Sequence, residues 1–319
     1  MFQTPILLIT FNRPEHTRQV FEIIKQQKPA RLFVFQDAPR EGNMTDIENC
    51  KAVKTIFDEI LDWTCELKYY SPEKNLGCGK GPSTGISWFF EQEEQGIIFE
   101  DDCLAHPDFF QYCEELLDKY KNTPEIGFIA GSSFQNPQLV NDESYYFGCG
   151  SFGTWGWASW RRAWEHFDYY LESIDKNRMT AITKKYFKEP RQRAYWMEIY
   201  RLVKKDRMND SCWDYQFYMS CWNFNMLAII PYHNLITNIG YDEMATHTMS
   251  VDHPAAKRSL YSILPINHPV IISLDTKADL YVQKKYTYPL IYGWTGFKRI
   301  PHYINRLLKI KQGKKSSWL

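Results

Sequence analysis

The sequence lacks the cysteine pattern of a disulfide-stapled or zinc-binding protein. Its 319 residues include eight cysteines, but these are scattered and no two of them form a CxxC pair. We therefore expect free thiols, with Cys103 and Cys113 behaving as small hydrophobic side chains because apolar residues surround them in the sequence. Free thiols of this kind are typical of a reducing cytoplasm.

Long apolar runs and an excess of one charge are also missing. The apolar run at residues 6–9 is too short for a signal sequence or a membrane span, and no basic residues precede it. Lys and Arg together number 38, as do Asp and Glu, so no overall field attracts nucleic acid or an acidic membrane. These absences predict a cytoplasmic protein that does not bind nucleic acid.

The common glycine-rich fingerprints of nucleotide-binding loops are absent as well. Residues 75–82 (NLGCGKGP) alternate Gly77, Gly79 and Gly81, which matches neither a P-loop nor the GxGxxG motif. The backbone amides of this stretch and Lys80 could hold a phosphate, or the stretch is a flexible turn before a helix. We find no internal repeat and no low-complexity linker.

Apolar runs alternate with helical patterns through the first half of the chain. Strands are predicted at residues 6–9, 32–35, 65–70, 97–99 and 126–130, and amphipathic stripes separate them. This alternation predicts an α/β fold with a mostly parallel sheet and helices on both faces. Ligands of such sheets bind beyond the carboxyl ends of the strands.

Polar residues follow the predicted strand ends and should therefore meet at one edge of the sheet. They are Arg13, Asp37, Lys80, Glu100, Asp101 and Asp102. An arginine at this edge suits a diphosphate, and an aspartate suits the hydroxyls of a ribose or the edge of a base. Each has a simpler interpretation, since Arg13 could be a solvated turn residue and Asp37 an ordinary turn residue before Ala-Pro.

Three adjacent acids, Glu100, Asp101 and Asp102, repel one another where the fourth predicted strand ends. Mn²⁺ or Mg²⁺ would offset this repulsion, because such a cation takes one or two carboxylates and shares its remaining positions with water and phosphates. The alternative is that these are solvated acids near a helix start, where negative charge is favourable. The convergence at one sheet edge favours a nucleotide-and-metal site.

Aromatic side chains are concentrated in the second half of the chain. Residues 153–164 (GTWGWASWRRAW) carry four tryptophans, which suit either a sugar-binding platform or an aromatic core. Asp214 follows Trp213 in the first turn of a predicted helix, where it is either a partner of the helix dipole or a general base. His247 either contacts the metal or a phosphate, or is a hydrogen-bonded loop residue.

The acidic stretch and the helix after it resemble those of a known enzyme family. Residues 98–110 (IFEDDCLAHPDFF) are similar to the acidic motif and following helix of N-acetylglucosaminyltransferase I, glycosyltransferase family 13, whose fold is GT-A. Shorter similarities occur in the same order, at residues 6–13, 35–37, 153–157, 212–214 and 238–247. Tyr215 departs from the family pattern, which has a second acid after the aspartate. We expect a bacterial member of such a family.

The resemblance implies a metal-dependent, inverting transfer from a nucleotide sugar, with a UDP-sugar such as UDP-GlcNAc as donor. Asp102 would hold Mn²⁺ or Mg²⁺, and Glu100 and Asp101 would orient the donor sugar and ribose. Arg13 would contact the diphosphate, and Asp37 the uracil.

The resemblance also implies roles on the acceptor side. Asp214 would take the proton of the acceptor hydroxyl, and His247 would belong to a loop that closes over the donor. The acceptor would be a glycan or a lipid-linked oligosaccharide, as in the synthesis of a surface polysaccharide.

Three parts of the chain are expected on this basis. Residues 1–135 would form the nucleotide-sugar-binding half, and residues 136–260 the acceptor-side, catalytic half on the same sheet. Residues 261–319 would be a C-terminal extension, in which residues 298–315 are basic and amphipathic. That segment is either a solvated helix or a peripheral contact with the inner face of the membrane.

Two other functions fit part of the sequence. A sugar nucleotidyltransferase would need a glycine-rich, basic loop directly after the first strand, whereas residues 11–14 (FNRP) contain no glycine. A catalytically inactive GT-A-like domain would bind glycans through its aromatic residues. Its retention of both the acidic triplet and Asp214 argues against this alternative.

Overall fold

An eight-stranded mixed sheet forms the centre of the computed structural model, which describes residues 1–136, 142–150, 153–205, 211–241 and 258–287. Its strands are β1 (Ile6–Thr10), β2 (Arg31–Gln36), β3 (Glu66–Tyr70), β4 (Gln95–Glu100), β6 (Ile126–Ala130), β7 (Tyr145–Gly148), β8 (Trp157–Trp160) and β9 (Leu227–Pro231). A separate antiparallel pair consists of β5 (Cys103–Ala105) and β10 (Ile236–Asn238).

The strand order of the sheet is β3-β2-β1-β4-β8-β6-β9-β7. The first four strands of this order run parallel to one another, and β6 runs parallel to β9. Strand β8 lies antiparallel between β4 and β6, and β7 lies antiparallel to β9 at the far edge. The predicted α/β fold with a mostly parallel sheet is confirmed.

Helices cover both faces of the sheet. They are α1 (Pro14–Gln27), α2 (Met44–Ile60), α3 (Gly77–Phe90), α4 (Asp108–Tyr120), α5 (Arg161–Trp164), α6 (Lys176–Tyr186), α7 (Pro190–Lys204), α8 (Asp214–Asn223) and α9 (Thr276–Val282). Helices α1, α2 and α4 share one apolar core with one face of the sheet, and α3 and α5–α8 share a second core with the other. No described helix is both long enough and apolar enough to cross a membrane.

The central strand β1 shows why the sequence folds in this way. All five of its residues are buried, because successive side chains point to opposite faces and each face is covered. Leu7 and Ile9 enter the core beneath α3, and Ile6 and Leu8 enter the core beneath α1. Such a strand reads as a continuous apolar run, as the sequence predicts.

The register of the parallel strands positions the site. Thr10 at the end of β1 pairs with Gln36 at the end of β2, and Ile9 pairs with Glu100 at the end of β4. The loops that carry Arg13, Asp37 and the acidic residues therefore leave the sheet at the same edge.

Candidate active site

An arginine and two aspartates form the charged centre of this edge. Arg13, which precedes α1, donates hydrogen bonds to Asp101 and to Oδ2 of Asp102, the latter at 3.1 Å. The side chains of Asp101 and Asp102 are only 4% and 12% exposed. Burial by itself lowers the pKa of Arg13, but the charges of these two aspartates and their hydrogen bonds raise it overall. The guanidinium is therefore held in its charged form between two carboxylates.

The segment after β10 holds the carboxylate of Asp102 from the other side. Asn238 donates from Nδ2 to Oδ1 of Asp102 at 3.1 Å, and the N–H of Ile239 donates to the carbonyl oxygen of Asp102 at 2.8 Å. The N–H of Gly240 donates in turn to Oδ1 of Asn238 at 2.7 Å. A Cβ atom on Gly240 would lie 2.2 Å from Oδ2 of Asp102, so only glycine allows this close approach.

Three carboxyl groups lie near the guanidinium of Arg13. Asp101 and Asp102 pair with it, whereas Glu100 is mostly protonated at pH 7, because burial and the two aspartates raise its pKa to about 8. The Oδ2 atom of Asp101 is buried and accepts no hydrogen bond from any residue that the structure describes. Burial raises the pKa of Asp101, and Arg13 opposes that rise only in part. A buried, underused carboxylate oxygen beside excess negative charge fits a hard divalent cation.

The protein offers such a cation few ligands of its own. Within the described ranges, no three His, Cys, Asp or Glu side chains are grouped as a metal site. Mg²⁺ and Mn²⁺ commonly bind one or two carboxylates and complete their coordination with water and substrate phosphates. The residues present therefore fit a cation that arrives with a phosphate-containing substrate, with Asp102 as the predicted protein ligand.

Asp214 lies at the start of α8 and is partly buried. Burial raises its pKa to about 6, while backbone N–H groups at the helix start act in the opposite direction. The pKa of Glu100 is raised by burial, by Asp102 and Asp101, and also by the charge of Asp214. Ile98, two residues before Glu100, pairs with Trp157, whose ring stacks on that of Trp213 next to Asp214. Asp214 therefore lies close enough to Glu100 for their charges to interact, although 113 positions of sequence numbering lie between them.

Aromatic side chains shield Asp214 from water. Trp213 is 4% exposed and stacks on Trp157, with 5.7 Å between the ring centroids. The hydroxyl of Tyr218 lies 3.0 Å from Oγ1 of Thr154, and the hydroxyl of Tyr215 lies 3.4 Å from that of Tyr195. Tyr215, which departs from the family pattern, thus contacts a neighbouring tyrosine next to the carboxylate.

Asp37 is engaged by the glycine-rich loop. Its carboxylate accepts hydrogen bonds from the N–H groups of Ala38, Leu76 and Gly77, each at 2.9 Å, and from Nδ2 of Asn75 at 3.1 Å. Burial raises the pKa of Asp37, and the backbone N–H groups limit that rise. The observed role of Asp37 is to fasten the start of α3 to the end of β2. Its contact with a base stays a prediction.

Lys80 lies against two tyrosines in the described part of the chain, outside the contacts of Arg13. The ammonium of Lys80 lies 5.7 Å and 6.0 Å from the ring centroids of Tyr170 and Tyr169, in a groove beside α3. These contacts do not by themselves favour its predicted role at the donor. His247 falls outside the described residues, and its role stays a prediction.

The tryptophans of residues 153–164 are divided between core and site. Trp157, Trp160 and Trp164 are at most 6% exposed and belong to the two apolar cores. Trp155 is partly exposed, and its ring lies 5.9 Å from that of Tyr241. Of the two interpretations, the aromatic core therefore accounts for three of the four.

Two further residues of the site do not stand out in the sequence. Nε2 of His16 lies 3.4 Å from the carbonyl oxygen of Ile239, and the charge of His16 acts to lower the pKa of Asp101. The pKa of Tyr241 is raised by burial and by the nearby charge of Asp102. His16 follows Arg13 by three residues at the start of α1, and residues at this spacing are neighbours on a helix surface. The sequence could therefore have indicated His16.

Removal of Arg13 should destabilise the protein, because it leaves two buried carboxylates without their cation. We expect Arg13→Ala to lower the free energy of unfolding by about 3 kcal/mol at pH 7. This loss of unfolding free energy should be smaller at lower pH, because Asp101, whose pKa is raised, takes up a proton in the folded variant. Urea unfolding in EDTA at pH 7 and pH 5 measures both effects.

Arg18→Ala is a matched control on the same helix. Arg18 pairs with Glu59 at 3.2 Å, but the two side chains are 43% and 55% exposed. Such a surface pair contributes at most about 1 kcal/mol. Equal losses in the two variants would contradict the charge balance described for Asp101 and Asp102.

Comparisons with known proteins give no family for this chain. No protein-family model matches the sequence, and no curated protein matches it. Among solved structures, it is similar to mannosyltransferase PcManGT from Pyrobaculum calidifontis in complex with GDP-Man and Mn²⁺, at 14% identity and a TM-score of 0.40, over 70% of this chain and 69% of that chain.

A second similar structure is the inositol-1-phosphate CTP transferase from T. maritima. It shows 13% identity and a TM-score of 0.38, over 75% of this chain and 90% of that one. The complex of UDP-glucose pyrophosphorylase with UDP-glucose shows 12% identity and a TM-score of 0.26, over 46% and 62% of the respective chains. Likenesses this distant carry no conclusion about activity, which has to be argued from the site itself.

Proposed function

We propose that this protein is a metal-dependent, inverting glycosyltransferase that moves a sugar from a nucleoside diphosphate to a hydroxyl of a glycan or glycolipid. The observation that carries the proposal is the proximity of Asp214 to the acidic turn, because Ile98 in β4 pairs with Trp157 and the ring of Trp157 stacks on Trp213 beside Asp214. Burial raises the pKa of Asp214 to about 6, and Asp101 in the nearby turn keeps one buried carboxylate oxygen without a hydrogen bond from the described residues. A base on one side and a diphosphate-binding region on the other are what an in-line displacement at a sugar carbon requires.

On the acceptor side, Asp214 is the proposed general base. Its carboxylate would take the proton of the acceptor hydroxyl as that oxygen forms a bond to the anomeric carbon. The bond between that carbon and the diphosphate breaks on the opposite face, so the configuration inverts. Trp213 and Tyr218, which are both buried, would exclude water that otherwise hydrolyses the donor.

On the donor side, Asp102 would hold Mn²⁺ or Mg²⁺, whose charge offsets that of the departing nucleoside diphosphate. Arg13 would contribute a fixed positive charge near the phosphates. Asn238 would keep Asp102 in place through its hydrogen bond to the carboxylate, and the N–H of Gly240 would in turn hold the side chain of Asn238. Glu100 and Asp101 are proposed to orient the donor sugar and ribose. A UDP-sugar, with UDP-GlcNAc as the first candidate, follows from the family resemblance.

A ligand panel tests this proposal directly. Ligands that bind only the folded state raise its stability through mass action, by about 2.7 kcal/mol at a concentration of 100 times Kd. We expect the melting temperature to rise with one nucleoside diphosphate and its sugar, in Mn²⁺ or Mg²⁺ but not in EDTA. We also expect that donor to release its nucleoside diphosphate when an acceptor glycan is present.

Other outcomes of the panel would overturn the proposal. Release of pyrophosphate from a nucleoside triphosphate and a sugar 1-phosphate would identify a sugar nucleotidyltransferase instead. A panel without any shift, together with binding of the protein to glycans, would identify a binding module with a GT-A-like sheet.

A further inference from the structure

A groove of about 490 Å³ runs beside α3, outside the site of Arg13 and Asp102. Five residues of this helix and the residue directly after it line the groove at positions i, i+3, i+4, i+7, i+8 and i+11, which form one stripe along the helix surface. They are Lys80, Ser83, Thr84, Ser87, Trp88 and Glu91. At 1.5 Å per residue this stripe is about 16 Å long, so the groove suits an extended ligand.

The remaining lining is aromatic. Tyr70 lies beside Trp88, with 5.5 Å between ring centroids, and the loop after α5 supplies Phe167, Tyr169 and Tyr170. Tyr170 is 45% exposed, and its ring is 5.1 Å from that of Tyr169. These rings offer accessible apolar faces in an otherwise polar groove.

The chemistry of the lining matches a saccharide. Pyranose rings present C–H faces that pack on aromatic rings, and their edges carry hydroxyls that exchange hydrogen bonds. The groove supplies the hydroxyls of Ser83, Thr84 and Ser87 together with the ammonium of Lys80 and the carboxylate of Glu91. Hydrogen bonds hold two of these hydroxyls in place. The hydroxyl of Ser83 donates to the carbonyl of Lys80 at 3.0 Å, and the indole N–H of Trp164 donates to the hydroxyl of Ser87 at 3.0 Å.

Aromatic side chains connect the groove to the helix of the proposed base. The indole N–H of Trp164 donates to Ser87 in the groove at 3.0 Å, and the ring of Trp164 lies 6.0 Å from that of Trp213, which directly precedes Asp214. Phe167, which lines the groove, has its ring 6.4 Å from that of Phe217 in α8. One layer of aromatic rings therefore separates the groove from the start of α8.

We propose that this groove binds the non-reacting part of an oligosaccharide acceptor, with sugar rings against Tyr170 and Trp88 and with Lys80 as a contact for the polar or acidic edge of the sugar. Its role as an acceptor subsite rests on the proposed function, whereas the binding of a saccharide does not. Saccharide binding can therefore be measured without donor or metal.

Two tetrasaccharides serve as probes, the neutral tetra-N-acetylchitotetraose and the acidic hyaluronan tetrasaccharide. Titration calorimetry and saturation-transfer NMR would follow their binding to the full chain in EDTA. We expect saturable binding of at least one probe, lowered about tenfold by Tyr170→Ala, which removes one aromatic face. Tyr261→Ala is the matched control, because Tyr261 is similarly exposed, at 40%, and lies outside the groove. We expect Lys80→Gln to weaken the acidic probe more than the neutral one.

The groove assignment would be overturned by any of three results. These are the absence of binding of both probes in the low millimolar range, equal binding by wild type and Tyr170→Ala, and displacement of the bound probe by UDP with Mn²⁺. Failure of the proposed function looks different. In that case the probe binds as described, but no nucleotide sugar loses its sugar to any acceptor.

Discussion

Asp214→Asn should retain donor binding and lose sugar transfer. The amide has nearly the shape of the carboxylate but cannot take a proton from the acceptor hydroxyl. General-base catalysis contributes about 10²- to 10⁴-fold to a rate, so we expect kcat to fall by that factor. The Kd of the nucleoside diphosphate with Mn²⁺ should stay within about twofold, because the proposed role of Asp214 is on the acceptor side and not at the phosphates.

The pH profile gives a second measure of the same residue. Burial raises the pKa of Asp214 to about 6, and the base works only when ionised. The wild-type kcat should therefore fall as the pH drops through about 6, whereas the residual activity of Asp214→Asn should lack this limb. An unchanged acidic limb in the variant would assign the base to another residue.

Loss of activity through unfolding can be separated from loss of the base. The pKa of Asp214 is about 6 in the folded state and about 3.8 in the unfolded chain. As the pH rises from 3.8 to 6, the unfolded chain therefore loses this proton before the folded protein does, and the free energy of unfolding falls over that range. An uncharged Asn avoids this cost at pH 7, so urea unfolding should find the variant at least as stable as the wild type. Glu15→Gln, an exposed acid in the first turn of α1, is the matched control and should retain full activity.

Asp102→Asn should abolish metal-dependent nucleotide binding. The amide oxygen can still accept a hydrogen bond from Asn238, but the charge that would hold the cation is gone. We expect the affinity for UDP in Mn²⁺ to fall at least about 100-fold, which is about 2.7 kcal/mol, and the weak binding in EDTA to change little.

Asp118→Asn controls for the loss of one negative charge. Asp118 is 75% exposed on α4 and pairs only at the surface with Lys121, at 2.8 Å. Equal UDP affinity in wild type and Asp102→Asn, with Mn²⁺ present, would contradict the assignment of Asp102 as the metal ligand. The buried Oδ2 of Asp101 would then be the next candidate.

The centre of the sheet could be predicted because its inner parallel strands are buried on both faces. β1, β2 and β4 read as continuous apolar runs, and their order with intervening helices determines which edge carries the loops. The antiparallel strands β7 and β8 could not be read in this way. Trp157–Trp160 is rich in tryptophan, and its pairing with both β4 and β6 depends on contacts distant in the sequence.

In the site as well, local features could be predicted from the sequence and contacts between distant positions could not. Arg13 and the acidic residues could be placed at one edge because strand ends are local features of the sequence. The hydrogen bond from Asn238 to Asp102 spans 136 positions, and no local pattern specifies it. The engagement of Asp37 with the glycine-rich loop also has no signal in the sequence, because a turn aspartate and a base-binding aspartate look alike there.

The pairing of β4 with β8, and of Asp102 with Asn238, has a consequence for how the protein is made. During synthesis the apolar edge of β4 has no partner until Trp157–Trp160 has left the ribosome. The acidic turn acquires its contacts later still, because Asn238 lies in β10 and Gly240 lies just after that strand. A chain released before that point carries the acids and the arginine but not the segment that fixes Asp102. A prematurely terminated product therefore lacks the complete charged site at this edge of the sheet.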